Sequence, residues 1–119
     1  MKVYIAGKIT GNPDYKRQFL DAERYLKSQG HITMNPAVLP AGFEHHEYMT
    51  ICFAMINVCD AVYFLHNWTV SIGARMEFDH AKSIEKILIF QVVERLESPL
   101  PSHMYDNPVF LEVGMNAES

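Results

Sequence analysis

Short apolar runs alternate with longer amphipathic stretches along the first three quarters of the chain. The short runs are rich in Val, Ile, Tyr and Phe and end near turn-forming residues, which is typical of buried strands. In the longer stretches, apolar residues recur at three- and four-residue spacings, as on one face of a helix. This pattern predicts strands at residues 2–7, 31–35, 61–65 and 86–90. It predicts helices at residues 13–29, 44–58 and 71–84.

Strands that alternate with helices pair in parallel, through right-handed crossovers that place helices on both faces of the sheet. The simplest arrangement is a single doubly wound α/β domain with strand order 2-1-3-4, which we assign to residues 1–90. Residues 91–119 contain three of the six prolines and show no clear periodicity. We interpret them as a C-terminal arm or tail and expect it to form an oligomer contact. An extra strand at residues 109–111 is an open alternative.

The composition is that of an ordinary globular protein, with 49% hydrophobic residues, 20% charged residues and a net charge of −4. An acidic chain lacks the basic face that nucleic-acid binding requires, so we expect no nucleic-acid partner. No apolar run approaches the roughly 20 residues of a membrane span, and no signal segment opens the chain. We therefore expect a cytoplasmic protein without a membrane partner.

The two cysteines, Cys52 and Cys59, are seven residues apart, within and directly after the second predicted helix. This spacing corresponds to about 10 Å along the helix axis, which is too far for a disulfide. It fits no zinc motif either, so we expect reduced thiols and no metal site.

Ligands of a doubly wound sheet bind beyond the carboxyl ends of the strands, at the switch in strand order, here between the first and third strands. Two loops, residues 7–12 and 66–73, flank this crevice. The first contains Gly7, Lys8, Ile9, Thr10 and Gly11. A cation and a hydroxyl beside the start of a helix are suited to hold an anion or a sugar hydroxyl. A plain strand-to-helix turn is the alternative, because neither GxxxxGK[ST] nor GxGxxG is present.

The second loop leads into the third helix. If Ser71 caps this helix, its hydroxyl and the free amides behind it form an anion pocket, and Gly73 leaves room for a ligand. Glu77 lies one turn beyond Gly73 on the same face, where we expect an ionised carboxylate that acts as nucleophile or base. The alternative is an ordinary cap and a solvated glutamate. Trp68 is expected either to stack on a bound base or to roof the core.

Tyr4 and the run from His45 to Glu47 each have both a structural and a chemical interpretation. Tyr4 lies inside the first strand, where core packing is the simpler explanation. His45, His46 and Glu47 are adjacent in sequence and do not share a helix face, so a solvated turn is expected rather than a ligand set.

Three segments, residues 4–11, 59–65 and 68–77, together resemble the nucleoside 2-deoxyribosyltransferase-like superfamily, and more narrowly its small DUF4406-type branch of phages and prophages. The resemblance implies a flavodoxin/Rossmann-like three-layer fold and a homo-oligomer, a dimer or higher. It also implies glycosidic-bond chemistry without a metal or redox cofactor. A glutamate on the helix after the third strand attacks the anomeric carbon of the nucleoside, and the matching position is Glu77.

The resemblance also implies a class of substrate, and at one position this sequence differs from the family's pattern. Relatives acting on free nucleosides carry Asp at the position of Ser71, whereas the similar deoxynucleoside 5′-monophosphate N-hydrolases carry Ser there, next to the phosphate. Tyr4 falls where those hydrolases place a tyrosine near the sugar. Cys52, however, replaces the family's usual Asp, which protonates the leaving base, and a thiol with a pKa near 8.5 is a poor substitute.

The sequence therefore predicts an N-glycosidase or deoxyribosyltransferase-like enzyme acting on a (deoxy)nucleoside 5′-monophosphate, with Glu77 as nucleophile. Ser71, Gly73 and the loop from Lys8 to Gly11 are expected to hold phosphate and sugar, with Tyr4 and Trp68 lining the pocket. The alternative is a catalytically weak or inactive protein that binds or sequesters a nucleotide or nucleoside. The sequence leaves open which base and sugar are preferred and whether the reaction is hydrolysis or transfer.

Overall fold

The computed structural model describes residues 1–94 and 109–115. Its strands are β1 (Lys2–Ala6), β2 (Ile32–Met34), β3 (Ala61–Phe64), β4 (Ile87–Glu94) and β5 (Val109–Met115). Its α-helices are α1 (Tyr15–Ser28), α2 (His45–Val58) and α3 (Ile72–Ser83). Two short 3-10 turns, Pro36–Val38 and Trp68–Val70, precede α2 and α3.

The strands form one sheet in the order β2-β1-β3-β4-β5. The first four strands are parallel, which confirms the predicted three-layer α/β fold and its strand order 2-1-3-4. Strand β4 extends four residues past its predicted end at residue 90, because the antiparallel strand β5 pairs with that extension. β5 starts where the extra strand was predicted but is longer. The rest of the predicted tail, residues 95–108 and 116–119, lies outside the described residues.

Successive residues of the two central strands point to opposite faces of the sheet. Val3 and Ile5 of β1 pack in a cluster with α1, whereas Tyr4 and Ala6 pack in a second cluster with residues of α2 and α3. This alternation directs the side chain of Tyr4 towards the two helices that flank the predicted crevice.

The helix ends agree with local sequence signals. A capping box between Glu44 and Glu47 starts α2, and the Ser71 hydroxyl caps α3. Cys52 and Cys59 are both free thiols, as their spacing predicted. Within the described ranges, no helix is long and apolar enough to cross a membrane.

Candidate active site

A cavity of about 470 Å³ lies at the predicted crevice, which is a typical size for a small-molecule site. Its walls come from the loop after β1, from α1, from the segment after β2, and from the first halves of α2 and α3. The lining residues are Tyr4, Gly7, Lys8, Ile9, Thr10, Tyr15, Phe19, Pro36, Ala37, Leu39, Ala41, His45, Tyr48, Met49, Cys52, Val70, Ser71, Ile72, Gly73, Ala74 and Glu77.

Glu77 is the buried acidic side chain of this cavity. Only 6% of the residue is exposed, so the alternative of a solvated glutamate is wrong. The Tyr4 hydroxyl, itself fully buried, donates a short hydrogen bond to Glu77 Oε2. Tyr4 is therefore more than a packing residue, because its polar atom holds one oxygen of the carboxyl group.

Burial controls the ionisation of this pair. It raises the pKa of Glu77 to about 8, although hydrogen bonds from Tyr4 and Cys52 act in the opposite direction. Burial therefore favours the protonated form of Glu77 near neutral pH, in contrast to the ionised carboxylate expected from the sequence, because loss of hydration outweighs the two hydrogen-bond donors. Burial, and next the charge of Glu77, raise the pKa of Tyr4 well above its ordinary value. Tyr4 thus remains a hydrogen-bond donor.

Cys52 completes a group of three polar side chains drawn from β1, α2 and α3. The residue is 7% exposed, and its thiol interacts with both Glu77 and Tyr4. Burial and then the charge of Glu77 raise the pKa of the Cys52 thiol to about 11. The position matched to the family's aspartate thus lies beside the candidate nucleophile, but it carries a very weak acid.

Ser71 caps α3 at the cavity wall, as predicted, and its Oγ accepts a hydrogen bond of 3.1 Å from the amide of Ala74. A β-carbon added to Gly73 would lie 3.6 Å from Met49 Sδ and 3.8 Å from His45 Cε1. These are ordinary contact distances, so packing alone does not require a glycine here. Its lack of a side chain leaves open space between the starts of α2 and α3.

Only some residues of the loop after β1 line the cavity, and its glycines have structural roles. A β-carbon on Gly7 would lie only 2.7 Å from Leu65 Cδ1 and 3.0 Å from Leu65 Cβ, so close packing against Leu65, directly after β3, explains this glycine. Lys8, Ile9 and Thr10 line the cavity, whereas Gly11 is not among the lining residues and turns the chain with φ +73°.

Trp68 does not line the cavity among the described residues. Its ring packs against Phe64, Phe78 and Phe90, with centroids 5.2, 4.8 and 5.7 Å away. We therefore correct its predicted place in the pocket, since the structure fits the alternative, a roof over the core.

Part of the wall was not anticipated. His45 lines the cavity and is exposed, as expected, but it begins α2 rather than lying in a turn. The Tyr48 hydroxyl donates to Pro40 O at 2.6 Å and accepts from the amide of Phe43 at 3.3 Å, which fastens the segment after β2 to α2. The spacing of His45, Met49 and Cys52 was the available signal, because it places all three on one helix face.

No group of three or more potential metal ligands occurs among the residues that the structure describes.

Two solved 2-deoxyribosyltransferases share this fold. A 2-desoxiribosyltransferase from Leishmania mexicana matches with a TM-score of 0.62 and 18% identity, over 78% of this chain and 65% of that chain. A 2-deoxyribosyltransferase from the psychrotolerant bacterium Bacillus psychrosaccharolyticus matches with a TM-score of 0.53 and 20% identity, over 71% and 66%. The chain thus spans about two thirds of the length of these structures, and the similarity shows a shared fold.

A family model described as a domain of unknown function, DUF4406, matches residues 1–90, and the chain belongs to this family. The family expected from the sequence motifs is therefore confirmed. No curated protein matches the sequence.

The raised pKa of Glu77 predicts a pH-dependent cost of folding. Between about pH 4.5, its ordinary pKa, and about pH 8, the unfolded chain loses the proton while the folded protein keeps it. The stability of the wild type should therefore fall with rising pH relative to Glu77→Gln, which has no proton to lose. We expect its melting temperature to fall by about 4 °C or more relative to the variant between pH 5 and pH 8, equivalent to roughly 1 kcal/mol. A difference that stays constant with pH contradicts the buried, protonated carboxyl.

Proposed function

We propose that this protein cleaves the base–sugar bond of a (deoxy)nucleoside 5′-monophosphate, with Glu77 as nucleophile. The observation that carries the proposal is a buried carboxyl group, held by Tyr4, on the wall of a nucleotide-sized cavity. The fold shared with 2-deoxyribosyltransferases supports a deoxyribosyl group as the sugar.

The spacing along α3 supports a phosphorylated substrate. Ser71 and Glu77 are six residues apart, a rise of about 9 Å, and both line the cavity. This distance suits a sugar whose anomeric carbon meets Glu77 while its 5′-phosphate meets the capped start of α3. Lys8 lines the same cavity and is suited to neutralise the phosphate, and His45 lines it as a further potential hydrogen-bond partner.

The reaction proceeds in two balanced steps. The ionised Glu77 oxygen bonds to C1′ as the C1′–N bond breaks, and the base leaves with the bonding electrons and takes up a proton. Water then attacks C1′, the glycosyl–glutamate bond breaks, and the carboxylate is restored with release of the sugar phosphate and a proton. A second base in place of water would give transfer instead of hydrolysis.

Tyr4 has a specific part in this scheme. Its donation to Oε2 holds the carboxyl group in one orientation for attack on the sugar. Because its pKa is raised well above the ordinary value, Tyr4 does not compete as a base.

A second candidate function is nucleotide binding or sequestration without turnover. Cys52 favours it, since a thiol with a pKa of about 11 gives little help to a departing base. In either case we expect a cytoplasmic homo-oligomer with a small-molecule partner and no metal or redox cofactor. The phage or prophage origin implied by the family resemblance also remains a prediction.

Base release is the direct test of the proposed reaction. The protein is incubated with deoxynucleoside 5′-monophosphates and free nucleosides, and free base is measured by chromatography. We expect kcat/KM to rise by about tenfold between pH 6.5 and 7.5 and to level off above about pH 8, because only the ionised Glu77 attacks.

The Glu77→Gln variant is the control for this assay. It should bind the nucleotide, detected as a raised melting temperature, and release no base. Wild-type binding without any base release supports the sequestering alternative, and full activity of Glu77→Gln rules out this nucleophile.

Ser71→Asp tests the phosphate subsite. Aspartate also caps helices well, so the fold should persist, but its charge repels a phosphate at the same helix end. We expect the dissociation constant of the monophosphate to rise at least tenfold and that of the matching nucleoside to change by less than threefold. An equal effect on both ligands contradicts a phosphate at this end of the cavity.

Cys52→Asp tests the missing acid. The added carboxyl group can protonate the leaving base, and its charge beside Glu77 should also shift the rising limb of the pH profile to higher pH. We expect base release at the pH optimum to increase at least tenfold. Cys52→Ser, of similar size and without an acid, is the control and should leave the rate within threefold. No gain from Cys52→Asp means that this position only packs.

A further inference from the structure

Three side-chain amides link the two loops at the mouth of the cavity. The amide of Lys8 donates to Asn67 Oδ1 at 3.1 Å, and Asn67 Nδ2 donates to Gln18 Oε1 at 3.2 Å. Asn12 Nδ2 donates to the same Gln18 oxygen at 2.8 Å and to Lys8 O at 2.8 Å. The loop after β1 is thus tied at Lys8 to the loop after β3 and to α1.

The orientation of every amide in this network is determined by backbone groups at its two ends. The side-chain nitrogen of Asn12 donates to the backbone carbonyl of Lys8. Its side-chain oxygen accepts from the backbone amide of Asp14. Asn67 must present its oxygen to the amide of Lys8, which can only donate. Gln18 therefore has to accept from both asparagines with the same oxygen.

We infer that Asn67 and Gln18 are positioning residues that hold Lys8, Ile9 and Thr10 in place as one wall of the nucleotide cavity. The inference rests on the proposed function for its ligand. None of the three amide residues is among the lining residues, so each acts through the loop that it fastens. Without the network, the backbone of Lys8 loses a side-chain partner on both its N–H and its C=O.

Because each amide in the network has a fixed donor and acceptor side, two variants of equal charge can be compared, one that keeps the hydrogen bonds and one that breaks them. In Gln18→Glu, a carboxylate replaces the double acceptor, and both asparagine amides keep their partner. In Asn67→Asp, an oxygen replaces the donor, and two acceptors then face each other. Both variants preserve size and add one negative charge in the same network, so charge alone cannot separate them.

The first measurement is amide hydrogen exchange of the loop, which requires no ligand. We expect the Lys8 amide to exchange about tenfold faster in Asn67→Asp than in the wild type, and within threefold of the wild type in Gln18→Glu. The second is steady-state kinetics with a deoxynucleoside 5′-monophosphate. There KM should rise about tenfold in Asn67→Asp with kcat within threefold, because Glu77 and Tyr4 are untouched.

The outcomes separate this inference from the proposed function. Equal exchange and equal KM in the two variants overturn the positioning role. If the wild type neither binds nor cleaves a nucleotide, the proposed function fails, and the exchange rates still decide whether the network holds the loop. If Asn67→Asp does not fold, Asn12→Asp replaces it, since it introduces the same acceptor conflict at the opposite end of the network.

Discussion

The burial of one carboxyl group governs the arrangement of the whole site. Glu77 is buried at the cavity wall, where a fully buried tyrosine on the central strand β1 donates a hydrogen bond to it. An unpartnered polar group at this depth would cost roughly 1–3 kcal/mol. The alternation of β1 directs Tyr4 to the same face as α3, and the small buried residues Ala74 and Ala81 let that helix lie close to the sheet. The alternation of side chains along β1 therefore brings Tyr4 to Glu77.

Local signals predicted much of this structure. The four parallel strands and their order follow from the alternation of elements, and the cap at Ser71 follows from the preference of hydroxyl side chains for helix starts. The extension of β4 could not be predicted in this way. It depends on pairing with β5, which comes from a distant part of the chain and leaves no periodic mark in residues 91–94.

The errors at the site have a common physical cause. The ionised state of Glu77 was inferred from its distance to a helix start, but its pKa depends mainly on how three elements exclude water. Trp68 was assigned to the cavity because it lies in the loop after β3, which borders the crevice. The 3-10 turn between them instead leaves the indole ring in the aromatic cluster around Phe64. Sequence proximity predicted which loop is involved, but not which way each side chain points.

The thiol at Cys52 alters the balance between the two halves of the proposed reaction. A second carboxyl group at this place would repel the charge of Glu77 and hold its pKa higher still. A neutral thiol avoids that repulsion and donates a hydrogen bond to the ionised form, so it favours the nucleophile. Its own pKa of about 11 makes it a weak proton donor to the leaving base. In the proposed reaction, the thiol therefore eases ionisation of Glu77 relative to a second carboxyl group, at the cost of weaker acid assistance to the leaving base.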